Sequence, residues 1–457
     1  MLDFKNKNIL VVGMARSGIS AAKLLTKCGA KVTVNDSKEP QELGEALKAL
    51  DGCDVVFRLG SKPELFDGLD IIVISPGVPA YLEPFERARS LGIPVIGEIE
   101  LGYAFTESNV ITAITGTNGK TTTTALVGEI YRKAGLCTYV AGNIGIPISE
   151  LAASASSGDD IVLEVSSFQL ETIKRFRPKI SCILNITPDH LDRHKGIEGY
   201  IKSKMRIFEN QSSDDVLVLN YDNETTRDMS NHANCRVLFF SRLNRVDKGA
   251  CLKEGKIVFS DETGREVIIG RPEEIRLPGK HNLENALAAV AMACARGIEP
   301  TVIRHMLAAF EGVEHRIEYV DSIGGIRFIN DSKGTNIDAT VCAIESMELP
   351  TTIILGGYDK GADFEELVQK FTANIKGAVV IGKTTEKIAG ALDKAGFNNF
   401  RLAKTFESAV RIAFEMSKPG YNVLLSPACA SYDMFHDYEE RGRVFKQIVK
   451  SLKEEFC

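Results

Sequence analysis

The chain has 457 residues, 44% of them apolar, and a formal net charge of −6, which is length enough for about three domains with separate cores. The acidic balance excludes a global basic field that would recruit nucleic acid or anionic membrane, and no run is apolar for long enough to insert in a bilayer. The N-terminal Met1-Leu-Asp-Phe-Lys-Asn-Lys-Asn segment reads as the approach to a strand, not as a signal peptide, and ten cysteines scattered without a C-x-x-C pair or zinc spacing fit reduced thiols in a cytosol.

Strands alternate with helical patterns along nearly the whole chain, which predicts an α/β fold with largely parallel sheets. In the first unit Lys7–Gly13 reads as a strand, Ser17–Gly29 as a helix, and Lys31–Asp36 as the next strand. Val55-Val-Phe and Ile71–Ile74 continue the sheet, Ile93–Ile96 closes it, and a boundary falls near residues 97–108. Gly13-Met-Ala-Arg-Ser-Gly18 follows the opening strand and Asp36 ends the second. A dinucleotide fingerprint needs glycine where this chain has Ala15, which argues against NAD. A phosphate can still sit on the following helix N-terminus, and Asp36 can accept hydrogen bonds from a ribose or base edge. A packing turn would use the same glycines. Ser75-Pro76-Gly77-Val78, after another strand, points to the same crevice or is itself a turn.

The second unit opens on a strand at Asn109–Thr115, and Thr115-Gly116-Thr117-Asn118-Gly119-Lys120-Thr121-Thr122 follows it and leads into a helix. Strand, tight glycine turn and Gly-Lys-Thr at a helix start form the geometry that cradles nucleotide phosphates. Backbone N–H groups converge on the anion, Lys120 supplies a point charge, and the Thr121 hydroxyl suits Mg²⁺. Only two residues separate Gly116 from Gly119, fewer than in the usual P-loop. Strands follow at Ile161–Val165, Ser181–Asn185 and Val216–Leu219, then short strands across 236–277 and a helix at His281–Arg296. Glu164 ends a strand, where ligands gather in open α/β sheets, and suits a metal shared with Thr121, or else caps a helix. Asn185-Ile-Thr-Pro-Asp-His190-Leu-Asp-Arg-His194 places imidazole beside carboxylates, as a metal or phosphate loop would, although a surface histidine fits too. In the helix Glu198–Asn210, spacing alone makes Lys204 one base on a solvated face. Asn282 is either a cap or an amide reading a nucleobase.

The third unit starts near residue 312 and reads strand (Ile326–Ile329), helix (Asn336–Ser346), strand (Thr352–Leu355), helix, strand (Ala378–Ile381), helix, strand (Val423–Ser426), helix. Four polar clusters, each read as following a strand, suggest a ligand edge: His315-Arg316, Asn330-Asp331-Ser-Lys333, Gly356-Gly357-Tyr358-Asp359-Lys360-Gly361 and Ser426-Pro-Ala-Cys-Ala-Ser431.

Taken together, Gly-Thr-Asn-Gly-Lys-Thr-Thr, Leu-Glu-Val-Ser-Ser-Phe-Gln-Leu, Asn-Ile-Thr-Pro-Asp-His-Leu-Asp-Arg-His, His-Asn-Leu-Glu-Asn, Glu-His-Arg, Asn-Asp-Ser-Lys-Gly-Thr-Asn and Leu-Gly-Gly-Tyr-Asp-Lys-Gly-Ala-Asp resemble the Mur ligase family in order and spacing over essentially the whole chain. The resemblance implies three domains: a Rossmann-like domain at 1–97 for a UDP substrate, a central P-loop domain at 98–311 for ATP, and a Rossmann-like domain at 312–457 for the amino acid. The Gly13–Gly18 turn, Ser-Pro-Gly-Val and the run Ser-Pro-Ala-Cys-Ala-Ser-Tyr-Asp-Met-Phe point to the member that adds D-glutamate to UDP-N-acetylmuramoyl-L-alanine. Other Mur-type and folylpolyglutamate-type ligases are the alternatives.

By the same resemblance the protein is a cytoplasmic monomeric enzyme of peptidoglycan synthesis that uses ATP and two Mg²⁺. Lys120, His190, Lys204 and Lys360 would be catalytic. Gly116, Thr117, Asn118, Gly119, Lys120, Thr121 and Thr122 would cradle the ATP phosphates, and Asn282, Asn285, His315, Arg316 and Asp331 would line the rest of the nucleotide. Ala15, Arg16, Asp36, Ser37, Ser75 and Asn143 would face the UDP-sugar. Thr335, Lys360, Ser431 and Tyr438 would hold D-glutamate, Tyr438 standing where a phenylalanine is expected. Thr121 and Glu164 would hold one metal, and His190 and a carbamylated Lys204 the second. Because three units supply ligands, the resemblance also implies that domain closure completes the site and expels water.

Overall fold

In the computed structural model, which describes residues 4–108, 110–152, 154–189, 191–277, 279–359 and 362–456, the apolar runs become the central strands of three sheets among the described residues. The predicted α/β class is borne out. The first sheet is parallel, in the order β3-β2-β1-β4-β5, with β1 Asn8–Val12, β2 Lys31–Asp36, β3 Val55–Leu59, β4 Ile71–Ile74 and β5 Val95–Gly97. Alternate residues of β1 feed two separate cores: Ile9 and Val11 pack with Ala21 and Leu25 of the helix Arg16–Lys27, Leu10 and Val12 with Phe85 and Ala88 of the helix Glu83–Ser90. A strand covered on both faces reads as an unbroken apolar run, which is why the sequence signal is strong. Strand order reverses between β1 and β4, so Gly13 and Ser75 lie at the switch-point crevice outside the strand carboxyl ends.

The second sheet runs β14-β13-β12-β11-β10-β9-β6-β8-β7. Its parallel part comprises β6 (Val110–Thr115), β7 (Thr138–Gly142), β8 (Asp160–Glu164), β9 (Ile180–Ile183), β10 (Val216–Asn220) and β11 (Arg236–Ser241). β12 (Gly249–Lys253) adds on in parallel to β11, and β13 (Lys256–Ser260) and β14 (Glu266–Gly270) extend the edge antiparallel. The third sheet, in the order β15-β16-β20-β17-β18-β19, is parallel except at β15 (Glu318–Ile323), which pairs antiparallel with β16 (Ile326–Asn330). Its other strands are β17 (Thr351–Leu355), β18 (Ile375–Val380), β19 (Phe400–Leu402) and β20 (Asn422–Leu425). The chain divides into two compact units, Met1–Arg276 with Leu283–Phe310, and Leu277–Asn282 with Glu311–Cys457.

Several elements differ from the sequence reading. β7, β15 and β19 are strands that it did not contain. β19 is three residues at a sheet edge, and β15 is an edge strand with Tyr319 60% exposed, so neither carries a clean apolar pattern. The segment expected as a boundary contains the helix Glu98–Phe105, whose first turn buries two carboxylates. Glu100 accepts hydrogen bonds from the backbone N–H groups of Lys174 (2.8 Å), Arg175 (2.8 Å) and Phe176 (3.0 Å). Oε1 of Glu98 accepts from the backbone N–H (2.7 Å) and hydroxyl (2.6 Å) of Ser149, and that hydroxyl lies 2.9 Å from the Ser20 hydroxyl.

Oε2 of Glu98 has no hydrogen-bond partner among the described residues. Burial outweighs the two Ser149 bonds and pushes the Glu98 carboxyl above its ordinary value of 4.5. A carboxyl whose folded value is raised stabilises the fold fully below its unfolded value and loses that contribution as pH rises through the folded one. Glu98→Gln should therefore gain about 1 kcal/mol of stability over the parent at pH 8 and little at pH 4.5. Thermal unfolding of the two proteins across that range checks it, and an advantage that does not grow with pH would contradict the assignment.

Candidate active site

The loop after β6 lies where the expectation put it. Gly116 and Gly119 have φ of 149° and 84°. A Cβ on Gly119 would come 2.3 Å from Oδ1 of Asn285, and the left-handed φ of that residue favours glycine. Lys120 opens the helix Lys120–Lys133 and donates from Nζ to the carbonyls of Gly116 (2.8 Å) and Thr117 (2.7 Å). Thr121 and Thr122 are buried in the first turn of that helix. The segment after β9 braces the loop: Asn185 Oδ1 accepts from Asn118 N (2.8 Å), Asn185 Nδ2 donates to Asn118 O (3.1 Å), and Thr117 Oγ1 accepts from Thr187 N (3.0 Å). The Tyr200 hydroxyl lies 3.1 Å from the same Oγ1. The sequence named Asn185 only as the start of a motif and did not name Tyr200. Its spacing of four residues from Lys204, which shares a helix face, was the available signal.

Glu164 ends β8 beside that loop, 1% exposed, and its Oε1 accepts from Asn143 Nδ2 at 2.8 Å. It caps no helix: Ser166 is the N-cap of Ser167–Leu170. Asn143 and Glu164, expected to face different ligands, are thus hydrogen-bonded to each other. Lys204 corrects the sequence reading most sharply. It sits on the helix Ile197–Met205, which gives way to a 3-10 turn earlier than expected, and it is 1% exposed rather than solvated. Its Nζ donates to Gly116 O (2.8 Å) and Thr115 Oγ1 (3.3 Å) and lies 4.6 Å from the Tyr200 ring centroid. Burial, then repulsion from Lys120, holds its ammonium well below the usual lysine range, against the pull of Asp189 and Glu164.

All six residues expected at the UDP-sugar line two adjoining cavities, five of them from the first sheet's loops and strand ends and Asn143 from the turn after β7. Asp36 and Ser37 line one of about 510 Å³, and Ala15, Arg16, Asp36, Ser75 and Asn143 line one of about 460 Å³. Asp36 Oδ2 accepts from Met14 N (2.7 Å), Ser75 Oγ donates to Gly13 O (3.2 Å), and Arg16 Nη2 donates to Gly145 O (2.8 Å). The turn is tight, because a Cβ on Gly18 would fall 1.8 Å from Gly13 O.

The candidate ATP residues divide between the compact units: the loop and Asn285 in the first, Asn282, His315, Arg316 and Asp331 in the second. His315 and Arg316 precede β15 instead of following a strand. Antiparallel pairing of Glu318 with Asn330 nevertheless brings them to the same edge as Asp331. His315, at φ 66°, has Nδ1 2.9 Å from Asn330 Nδ2, and burial pushes its imidazole down. Asp331 is buried and its carboxyl is pushed up to about 6, although Ser426 Oγ donates to it at 2.6 Å. Thr335 follows on the same loop, its N–H donating to Lys333 O (2.8 Å), and Ser431 is 2% exposed. The Tyr438 hydroxyl donates to Glu439 (3.3 Å), and the Lys333 Nζ lies 5.3 Å from its ring centroid. Arg441, absent from the sequence reading, is 1% exposed and ties these loops by donating to Ser332 O (2.8 Å) and Cys429 O (3.1 Å). His190 and Lys360 lie outside the described residues.

Hard oxygen donors, the Thr121 hydroxyl and the Glu164 carboxylate, suit Mg²⁺, which binds through one or two carboxylates plus substrate phosphates. No cluster of three or more His, Cys, Asp or Glu that would hold a metal by itself occurs among the described residues. No described helix is long and apolar enough to cross a membrane.

Family models described as Mur ligase MurD-like N-terminal domain, Mur ligase middle domain, and Mur ligase, glutamate ligase domain match residues 7–97, 114–293 and 315–429. The chain is 49% identical over 455 residues to the UDP-N-acetylmuramoylalanine–D-glutamate ligase of Thermoanaerobacter pseudethanolicus, covering 99% of this chain and 100% of that one. It is 44% identical over 453 residues to the ligase of the same name from Clostridioides difficile, with 99% and 100% covered. Among solved structures it resembles the UDP-N-acetylmuramate–alanine ligase MurC of Thermotoga maritima, with a TM-score of 0.62, 20% identity and 98% and 100% covered, a likeness of fold alone.

Proposed function

The chain belongs to the Mur ligase family, and from that premise we propose that it joins D-glutamate to UDP-N-acetylmuramoyl-L-alanine at the expense of ATP. The observation that carries this reading is the meeting of Lys120, Glu164 and Lys204 around one glycine loop at the carboxyl ends of β6 and β8, in a chain alike over its full length to D-glutamate ligases.

No protein nucleophile is required. The acceptor carboxylate attacks the γ-phosphoryl group and ADP leaves. The amine of D-glutamate attacks the resulting acyl phosphate, and the tetrahedral intermediate expels phosphate. Catalysis is then positioning and charge neutralisation, of which positioning supplies roughly 7–11 kcal/mol. Lys120 and the backbone of residues 116–122 hold the phosphates. Asn282, Asn285, His315, Arg316 and Asp331 line the nucleotide. Ala15, Arg16, Asp36, Ser37, Ser75 and Asn143 receive the UDP-sugar, and Thr335, Lys360, Ser431 and Tyr438 the D-glutamate. Thr121 and Glu164 would hold one Mg²⁺, and His190 with Lys204 a second; the metal supplies charge neutralisation at the phosphates. The depressed Lys204 supports carbamylation, since only a neutral amine adds to CO₂, and the carbamate is an oxygen donor that Mg²⁺ prefers. The same reading divides the domains after residues 97 and 311 and places the enzyme in the cytoplasm, where ATP and nucleotide-linked precursors are found.

Purified protein with ATP, Mg²⁺ and UDP-N-acetylmuramoyl-L-alanine should release phosphate when D-glutamate is added and not when L-lysine or L-alanine is. Preference for another amino acid would move the chain to a different specificity within the family.

A further inference from the structure

Three consecutive carbonyls of the Ser75–Val78 loop converge on one guanidinium from another part of the same compact unit. Arg193 donates from Nη1 to Gly77 O (3.3 Å) and from Nη2 to Pro76 O (3.2 Å) and Val78 O (3.2 Å). Its Nη2 also reaches Glu171 Oε2 at 3.3 Å, and its Cζ lies 4.0 Å from the centroid of the Phe168 ring. The side chain is 17% exposed, so these contacts are little screened. Each carbonyl bond is long, but a planar fork stacked on an aromatic face is preorganised to hold all of them together. A neighbouring contact joins the same two segments: Lys195 Nζ lies 5.8 Å from the Tyr81 ring centroid.

The loop so gripped forms a wall of the candidate nucleotide crevice. Gly77 and Val78 line both cavities, and Ser75 ties the loop to the Gly13 turn. On its other side Arg193 is continuous with the Lys204 helix. His194 Nδ1 lies 3.4 Å from Glu171 Oε1, His194 Nε2 lies 2.9 Å from Ser167 Oγ, and Ser203 Oγ donates to Ser167 O at 2.7 Å.

Resting on the reading above, we infer that Arg193 is a positioning residue for the acceptor: it shapes the UDP crevice by holding the Ser75–Val78 loop and ties that loop to the segment that carries the candidate metal ligands. Without the guanidinium the three carbonyls lose a shared donor, the loop relaxes outward, and the acceptor is bound less well while the ATP loop, braced by Asn185 and Thr187, keeps its shape.

Calorimetric binding of UDP alone, together with the KM values for acceptor and for ATP, tests this on the full chain. R193A should weaken UDP binding and raise the acceptor KM by at least about tenfold, with the ATP KM changed less than about twofold. R193K, which keeps the charge but not the fork, should fall between R193A and the parent. If R193A does not fold, R193K carries the same comparison. Parental UDP affinity in a folded variant overturns the inference, as does an equal loss for UDP and ATP. The two readings fail separately: a parent that binds no UDP sinks the substrate assignment, whereas a parent that binds UDP and ligates, beside an unaltered R193A, sinks only the role of Arg193.

Discussion

Lys120→Ala should lower phosphate release that depends on both acceptor and D-glutamate by about 10²–10³-fold or more, while the protein stays folded. The magnitude is that of removing one fixed donor aimed at developing charge in a site shielded from water. The fold should survive because Lys120 is only half-buried and its ammonium bonds, within the loop, to the carbonyls of Gly116 and Thr117. The loop keeps its glycine backbone and its braces from Asn185 and Thr187. A coupled phosphate assay beside thermal unfolding checks both halves. Near-parental turnover in the variant would remove Lys120 from the phosphate site and with it the proposed use of ATP there.

Lys204→Ala should lose about 10²-fold or more of activity and regain part of it when acetate or formate is added. As a plain ammonium, Lys204 is badly placed: it is buried, and Lys120 repels it. Conversion of the amine to a carbamate reverses its charge, so the same neighbour becomes attractive. Truncation to alanine removes the side chain that reaches Thr115, Gly116 and Tyr200, and a small carboxylate would take the place of the proposed carbamate there. Recovery should rise with carboxylate concentration and saturate. A folded Lys204→Ala protein that acetate and formate leave inactive would remove the carbamate from the account. Mass spectrometry under CO₂ would then be expected to find the parent lysine unmodified.

Much of the candidate site was legible because its residues lie where period and punctuation change together. β1, β6, β8 and β9 are largely apolar runs buried on both faces; β1 and β6 run directly into glycine, β8 ends on Glu164, and Asn185 lies two residues past the end of β9. The end of such a strand in a parallel sheet is a ligand edge whatever the neighbours are. Gly116, Gly119 and Lys120 needed nothing beyond the local chain. His315 and Arg316 were placed in the right cluster for the wrong reason. They do not follow a strand, and only the antiparallel turn at Gly324 and Gly325 carries them to the edge where Asp331 lies.

What spacing could not give was burial and partnership. Lys204 looks like its helical neighbours Lys202 and Arg206 until the Gly116 carbonyl and the Tyr200 ring close over it. Arg193 and Arg441 look like ordinary surface bases until the carbonyls of distant loops are seen to meet them. Glu98 and Glu100, at an expected linker, prove to be buried anchors.

The sequence by itself determined the α/β class, the glycine turn that leads into the Lys120 helix and the succession of polar clusters near strand ends, because these depend on residues adjacent in the chain and on periodicities of two and 3.6. The tertiary structure decided the strand order β9-β6-β8-β7, the pairing of Asn143 with Glu164, and which charges are sealed from water. Those depend on groups far apart in sequence coming within a few ångströms, and the energy of a charge is set by what surrounds it in space, not by what precedes it along the chain.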